Sequence, residues 1–567
     1  SALSAYAVNN FEPALVFDFK GNYFRKSATA STFPASITHA ASTNATMTDG
    51  YGPDVVTNGK FGTDTAGWVS GSSAATSAAV SGEMQVTNVS SNGRVVTAIP
   101  TVVGRQYEVS GVGRVISGGG GPAASLYLTN STGSTIQGGN INYTATDAPL
   151  GLSFTATATT SYISAITFGN VGNVSAFDNV SVRQSPALKW RPHNILTHSG
   201  DLTNAGWNTA GLPITTGQND FEGNPTAFKL TPLINSGYHR FFKTVSNSLL
   251  SNGTTSTVTI DLKADGYNFF SVAANSGQYA VFNLSNGTVS LDTGSVSPTV
   301  TSLGNGWYRC SITSSVVAQE VFSVGETSQA ASFGSQVFTG DGTSGVLVAY
   351  PHSFRSDLGG MVNNPDTTSS YVPTTSAVVY APRRGHHIYN GSAWVNEGIL
   401  HESEARTNLY LKSNQFVSAW VLAGSTVTAS AGTSPSGLAD AWRWVGNGNS
   451  ILYQGTPYVA GDYTVSAWVK SNGAGEDTFR LYGLNSLISG DFTATSEWVR
   501  YSFTFNSASP VNQFSGLVYG ASQGNVDLLV YGFQIEAGST PSSYIPTTAS
   551  ATATRAAETL TVPAANL

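Results

Sequence analysis

One opening phrase occurs three times in this chain, and one closing phrase occurs twice. The openings are Asp54-Val-Val-Thr-Asn-Gly-Lys-Phe61 followed by Ala66-Gly67-Trp68, Asn194-Ile-Leu-Thr-His-Ser-Gly-Asp-Leu-Thr-Asn-Ala-Gly-Trp207, and Asn408-Leu-Tyr-Leu-Lys-Ser-Asn-Gln-Phe-Val-Ser-Ala-Trp420. Each sets an apolar pair, a polar turn and then a tryptophan. The closings are Ser370-Tyr-Val-Pro-Thr-Thr375 and Ser543-Tyr-Ile-Pro-Thr-Thr548. A repeat of roughly 130–190 residues is far longer than a stacked solenoid unit, so each copy is expected to be a whole domain.

Within the copies, apolar residues alternate with polar ones. Val258, Ile260 and Leu262 alternate with Thr259, Asp261 and Lys263, and Val499, Tyr501, Phe503 and Phe505 with Arg500, Ser502 and Thr504. Leu529, Tyr531, Phe533 and Ile535 are likewise expected to share a face. Period-two alternation turns one face of a strand to a core and the other to solvent. Turn signals such as Ser285-Asn286-Gly287 and Asp341-Gly342 separate the runs, and no long amphipathic helix is evident. The expected class is all-β, built as tandem jelly-roll β-sandwich domains. The expected division is an N-terminal attachment segment at 1–52, modules at 53–186, 187–378 and 407–549, a linker hairpin at 379–406 turning at Asn390-Gly391, and a tail at 550–567.

Charged residues are 10% of the 567 and aromatics 11%, against ~25% charged in an ordinary globular protein. Ample aromatics with little charge argue for packed cores rather than disorder. The formal net charge is −7 and no basic run occurs, so there is no electrostatic footprint for nucleic acid. The single cysteine, Cys310, excludes an intrachain disulfide and is expected to be a buried, inert thiol. No apolar run is long enough to span a bilayer. The first residues, Ser1-Ala-Leu-Ser-Ala-Tyr6, lack the basic and apolar regions of a signal peptide. Either a signal has been removed or the protein reaches its place without secretion, as virion proteins do.

Several phrases resemble tail-fibre-like and other virion appendage proteins of tailed bacteriophages: Phe17-Asp-Phe-Lys-Gly-Asn-Tyr-Phe-Arg-Lys26, Ala45-Thr46-Met47, Leu188-Lys-Trp-Arg-Pro-His-Asn194, Gly304-Asn-Gly-Trp-Tyr-Arg-Cys310, Arg383-Arg-Gly-His-His-Ile-Tyr-Asn-Gly-Ser392, Glu402-Ser-Glu-Ala-Arg-Thr-Asn-Leu409 and Gln534-Ile-Glu-Ala-Gly538. The modules resemble the jelly-roll carbohydrate-binding modules attached to polysaccharide-degrading enzymes. The first is most similar, through Asn58-Gly-Lys-Phe61 and Phe177-Asp-Asn-Val-Ser-Val182. In the phage pattern the Ala-Thr-Met and Leu-Lys-Trp phrases run almost together, so residues 53–186 look like an insertion. The resemblance implies a virion structural protein, a tail fibre or receptor-binding appendage on the particle surface. Its expected partners are other virion proteins, host surface polysaccharide and further copies of itself in a homo-oligomer, a trimer being one such assembly. Neither nucleic acid nor membrane insertion is expected. A capsid-associated head fibre and a secreted bacterial polysaccharide-binding protein are the alternatives.

Candidate sites are sparse. A glycosidase needs two carboxylates flanking the scissile bond, and the densest acidic group, Glu397, Glu402 and Glu404 beside Arg406, reads as solvated ion pairs of a linker. No nucleophile elbow, phosphate loop or metalloprotease helix is present, and no catalytic residue is assigned. His386 and His387 are neighbours on a strand, so their side chains would point to opposite faces rather than meet at one ion. No cofactor is required, but the carbohydrate-binding resemblance implies a structural Ca²⁺ in the first module, with Asp178 as carboxylate and the backbone of Asn58 to Phe61 supplying carbonyls. Trp68, Trp207 and Trp420, at the repeated position, are expected in cores. Tyr127, Tyr267, Tyr279, Trp442, Trp444 and Tyr482 are the candidate sugar platforms, unranked.

Overall fold

The computed structural model describes residues 15–18, 23–26, 29–32, 38–52, 54–101, 105–244, 254–275, 277–315, 319–325, 337–362, 371–389, 394–473, 477–484, 487–508, 510–519, 526–547 and 551–561. Every regular element among them is a β-strand. The expected Asn390-Gly391 turn and the side chains of the Phe17–Lys26 phrase lie outside the described residues, as do Ser370 and Thr548 of the closings.

The chain forms two compact units. One comprises 49–187 with 430–441, the other 1–48, 188–429 and 442–567. The first unit is a sandwich of two antiparallel five-stranded sheets. One runs Ala148–Thr155, Gln106–Ser117, Val174–Gln184, Glu83–Asn88, Ala75–Val80. The other runs Thr135–Asn142, Ala123–Thr129, Thr160–Phe168, Arg94–Pro100, Val69–Ser70. Between them lies a core that includes Phe61, Trp68, Met84, Leu126, Phe154, Ile163 and Phe177. Alternation is legible in Glu83–Asn88, where Met84, Val86 and Asn88 are buried and their neighbours are not.

The second unit holds a further sandwich, of two six-stranded sheets. The strand orders are Asn208–Ala210, Arg240–Thr244, Gln319–Gly325, Phe269–Asn275, Gln278–Asn283, Thr288–Asp292 and Ile214–Gln218, Ala227–Leu230, Gly345–Arg355, Ser256–Asp265, Trp307–Ser314, Ser297–Gly304. Val258, Ile260 and Leu262 face its core, and so does Cys310, whose thiol burial pushes up. Strands drawn mainly from residues 421–429 and 442–537 of the same unit form one eight-stranded sheet around a single core. Its 18-residue strand Ala441–Tyr458 pairs through Trp442–Gly446 with Val526–Ala537 and through Ile451–Tyr458 with Val511–Tyr519. One strand thus serves both layers, which is how a sheet turns a corner.

One face expected from the alternation does not form. Leu529 and Tyr531 do not share a face with Phe533 and Ile535. The core takes Leu528 and Val530, then Phe533 and Ile535, while Tyr531 packs in a separate cluster with Trp190 and Tyr544. The register slips opposite Ser466 and Trp468, at Gly532 with φ +61°. A bulge adds one residue and flips every side chain beyond it.

The repeated phrases are latches. Asn194 Oδ1 accepts N–H bonds from Leu196 and Ser353, both 3.1 Å, and its Nδ2 donates to Val372 O at 2.9 Å. Asn408 Oδ1 accepts from Tyr410 (3.1 Å) and Ile535 (3.2 Å), and its Nδ2 donates to Ile545 O (2.9 Å) and Phe533 O (3.1 Å). Asp54 Oδ1 accepts from Val56 and Val182, both 3.1 Å. The closings complete the latch. Thr374 Oγ1 donates to Leu196 O, and Thr547 Oγ1 donates to Tyr410 O. The repeated tryptophans are 5–6% exposed, and each indole N–H donates to a carbonyl of its own opening: Trp68 to Asn58 (3.0 Å), Trp207 to His198 (2.9 Å), Trp420 to Lys412 (3.1 Å). A buried indole needs such a partner. His198 and Lys412 hold positive φ, 56° and 51°, and this turns their carbonyls out of the extended run.

The chain leaves the second unit after Thr48 and rejoins it at Leu188. These two points are adjacent there, since Arg191 N donates to Ala45 O at 2.9 Å.

Candidate functional site

The hairpin Arg383–Tyr389 and Trp394–Leu400 carries two register shifts, between Arg384 and His386 and between His386 and His387. Gly385, at φ +71°, supplies the backbone for the first. The bulges re-aim the two histidines, and both line one cleft of about 320 Å³. This differs from the expectation for an unbroken strand, because a bulge cancels the alternation between neighbours. They do not converge on an ion. His386 Nδ1 accepts the Thr48 N–H (3.2 Å), whereas His387 Nδ1 donates to Gly385 O (2.7 Å). Burial, aided by the Arg383 charge, pushes His386 down to about 4.

The cleft is rich in aromatic rings. Tyr389 and Trp394 face each other across the hairpin with centroids 5.6 Å apart. Trp468, Trp498 and Tyr544 come from the third repeat and its closing phrase. Arg500 lies over Trp468, its guanidinium carbon 4.6 Å from the ring centroid. It is anchored by Nη1 to Ser542 O (2.6 Å) and Nη2 to Ser466 Oγ (3.0 Å). Tyr544 meets Trp468 edge-on at 5.5 Å. Trp468 is therefore occupied on its arginine side, and the half-buried Trp394, Trp498 and Tyr389 are the rings placed to receive a ligand.

Beneath the cleft lies a buried charge network. Glu558 Oε1 accepts from Arg191 Nη1 (2.7 Å), and its Oε2 accepts from Arg383 Nη2 (2.9 Å) and the Glu402 N–H (3.1 Å). Glu402 accepts from Arg383 Nη2 (2.7 Å), Ser543 N (2.7 Å) and Ser543 Oγ (2.6 Å), and Arg555 Nε stands 3.1 Å from it. Arg191 and Arg383 are fully buried, and Glu558 and Arg555 are 2% exposed. Burial alone would raise both carboxyls. In Glu558, the His39 and Arg383 contacts with the Arg191 charge hold it well below the usual range, and in Glu402 Arg383, Arg555 and Ser543 do so. Burial lowers Arg191 to about 10. The linker reading therefore needs correcting for Glu402, which is enclosed. It holds for Glu404, whose exposed carboxylate pairs with Arg406 at 2.7 Å.

Among the described residues, one group of three side chains has metal-ligand spacing: His39, His401 and Glu558, with ligand atoms within 4.8 Å of one another. Its carboxylate and one of its imidazole nitrogens are already engaged. Glu558 serves two guanidiniums, and His39 Nε2 lies 3.3 Å from Arg191 Nη2, a group that can only donate. A dication there would sit among three arginines, so the chemistry of this set is that of an ion-pair knot.

The candidate calcium residues lie in the other unit. The two segments meet, since Val180 N donates to Gly59 O at 2.8 Å. The approach is so close that a Cβ on Gly59 would fall 1.7 Å from Val180 O. Asp178 accepts from Asn179, Oδ1 from the backbone N–H (2.6 Å) and Oδ2 from Nδ2 (2.9 Å). The Asn58 carbonyl takes the Trp68 indole, and Phe61 is buried at φ +48°.

Of the candidate sugar platforms, Trp444 is fully buried and Tyr279 is 9% exposed, so neither can stack on a ligand. Tyr127 packs on Phe168, Tyr267 on Phe338 and Trp442 on Phe416. The sequence around the cleft aromatics carries little to mark them as platforms. Tyr389 and Trp394, flanking an expected hairpin turn, gave the one available signal.

No protein-family model matches the chain, and no curated protein does. Among solved structures, the chain is similar to the N-terminal CBM22-1–CBM22-2 tandem domain of Paenibacillus barcinonensis Xyn10C, at 15% identity over 55% of this chain and 99% of that one, TM-score 0.20. The CBM22-1 xylan-binding domain of the same protein is similar at 12% identity over 25% and 99%, TM-score 0.20. A CBM4 structure is similar at 17% over 23% and 99%, TM-score 0.19. Likenesses of this size carry no conclusion about the chain; its all-β, sandwich architecture rests on the strands described above.

Proposed function

We propose that this protein is a virion appendage of a tailed bacteriophage, a tail fibre or receptor-binding protein, that holds a host surface glycan without cleaving it. The observation that carries the binding half is the cleft, where half-buried Trp394, Trp498 and Tyr389 stand beside hydroxyl and imidazole groups of Thr48, Ser542, His386 and His387. Aromatic faces next to a few fixed polar groups suit a sugar, which is apolar on its ring faces and polar at its rim. The two nearby carboxylates favour holding over cleavage. A general acid needs a raised pKa, and both Glu402 and Glu558 are held down. The virion half is supported by the phrases from Phe17 to Gly538 that resemble phage appendages.

Labelled protein should bind intact host cells, and periodate oxidation of surface sugars should abolish the binding. Trp394→Ala and Trp498→Ala should each weaken it by about tenfold, near 1.4 kcal/mol, with the thermal transition retained. Cell binding indifferent to periodate and to both variants would overturn the glycan reading. Labelling intact particles with a specific antibody tests the virion half, and signal on the head rather than the tail would move the assignment to a capsid fibre.

A structural Ca²⁺ in the first unit belongs to the same proposal, on the support of the resemblance of Asn58–Phe61 and Phe177–Val182 to carbohydrate-binding modules, whose oxygen ligands are the kind calcium prefers. Ca²⁺ added to chelator-treated protein should then raise Tm by a few degrees, and Asp178→Ala should remove the rise. An unchanged Tm would dispose of the ion.

A further inference from the structure

A second cleft, of about 230 Å³, opens on the other side of Tyr544, which lines both. Its wall includes Ser42, Trp190, Arg355, Tyr380, Thr554 and Arg555. The guanidinium of Arg355 is fixed in two ways. It lies 4.1 Å over the Trp190 ring, and its Nε and Nη2 form a two-pronged pair with Asp357 at 2.7 and 2.9 Å. Trp190 is itself pinned, its indole N–H donating to Asp357 Oδ1 at 2.9 Å.

This arrangement uses three of the five N–H groups of Arg355 at most and leaves Nη1 with no protein partner among the described residues. The same holds for the hydroxyls of Tyr380 and Ser42. Arg555, in contrast, is spent on Glu402, Glu404 and Ala556. The lining offers donors and no carboxylate, while its ring surface comes from Tyr380. A rigid guanidinium edge beside unpartnered hydroxyls suits a carboxylate, because an arginine held in advance loses little freedom on binding.

We infer that this second cleft binds a single sugar residue carrying a carboxylate, of the uronic-acid kind. The volume sets the size, being below the ~300–1,000 Å³ of sites that take larger ligands. The inference rests on the glycan-adhesion reading only for where such a residue would come from, an acidic surface polysaccharide. The two clefts would then contact one polysaccharide at two points, which raises avidity without a strong single site.

The test is titration of the full-length protein with glucuronate and galacturonate, against glucose, galactose and acetate, by isothermal calorimetry at low salt. Saturable binding of a hexuronate is expected, with the neutral hexoses and acetate weaker by about tenfold or more. Arg355→Gln should lose the preference for the acidic sugar. Thr554→Trp, at an exposed rim position, should block binding while leaving the charges and the fold in place. Asp54→Asn, in the other unit and outside both clefts, should leave hexuronate binding unchanged. Equal response to acidic and neutral sugars, binding of acetate as strong as of hexuronate, or hexuronate binding that survives Thr554→Trp would each overturn the inference. Hexuronate binding that follows this pattern alongside periodate-insensitive cell binding would leave the cleft assigned and the adhesion reading overturned.

Discussion

Glu558→Ala is expected to destabilise the larger unit by about 3–5 kcal/mol, the range for removing one partner of a buried ion pair. The substitution leaves Arg191 and Arg383 fully buried with their shared acceptor gone, and neither can shed its proton at neutral pH to escape. Glu404→Ala, on an exposed pair one turn of chain away, should change stability by less than about 1 kcal/mol. Denaturant midpoints of the two variants separate these outcomes, and equal, small effects would mean that water reaches the network. The same knot makes the unit acid-sensitive. Glu402 and Glu558 have carboxyls held below the ordinary range, so their contribution is complete above about pH 4.5 and is lost as pH falls through their folded values. Three histidines act with the same sign at higher pH. Burial lowers His193 to about 3, and His352 and His386 to about 4. Their contribution is complete above about 6.5 and declines below it, because the unfolded chain takes up the protons first. Asp261 works against this trend, since burial pushes its carboxyl up. The net expectation is a denaturant midpoint that falls from pH 7 to pH 4, and falls less in Glu558→Ala. A midpoint flat across that range would contradict it.

Asn408→Asp is expected to cost about 3–5 kcal/mol at neutral pH, although it changes one atom of the side chain. The amide is fully buried and donates to two carbonyl oxygens, Phe533 and Ile545. A carboxylate has nothing to donate, and it places a charge against those oxygens with no cation supplied. Because the introduced carboxyl would ionise only above its usual pKa, the loss should shrink as pH falls toward 4. Asp54→Asn makes the converse change at the matching position and should shift stability by less than about 1 kcal/mol. Asp54 is exposed and only accepts, from Val56 and Val182, and an amide oxygen accepts as well. Comparable losses in the two variants would show that the latches are not equivalent.

The repeated openings and closings, the alternation and the turn residues establish from sequence alone that the chain is all-β and that Trp68, Trp207 and Trp420 lie in cores. Those are local properties. Strand periodicity is set by the backbone geometry of each residue, and a phrase that recurs with its tryptophan recurs with its packing. Tertiary structure decided what depends on residues far apart in the chain. Leu529 and Tyr531 belong to a different phase from Phe533 because of one bulge at Gly532, which no pattern of apolar residues reveals. Glu402 looks like a linker charge until Arg383, Arg555 and Ser543 close around it. Both clefts are likewise assembled from distant phrases, Tyr389 and Trp394 with Trp498 in one, Ser42 and Arg355 with Thr554 in the other. Burial and ion pairing are properties of the assembled neighbourhood, and here that neighbourhood is gathered from positions 39 to 558, so the chemistry of the molecule became visible only once the strands were placed.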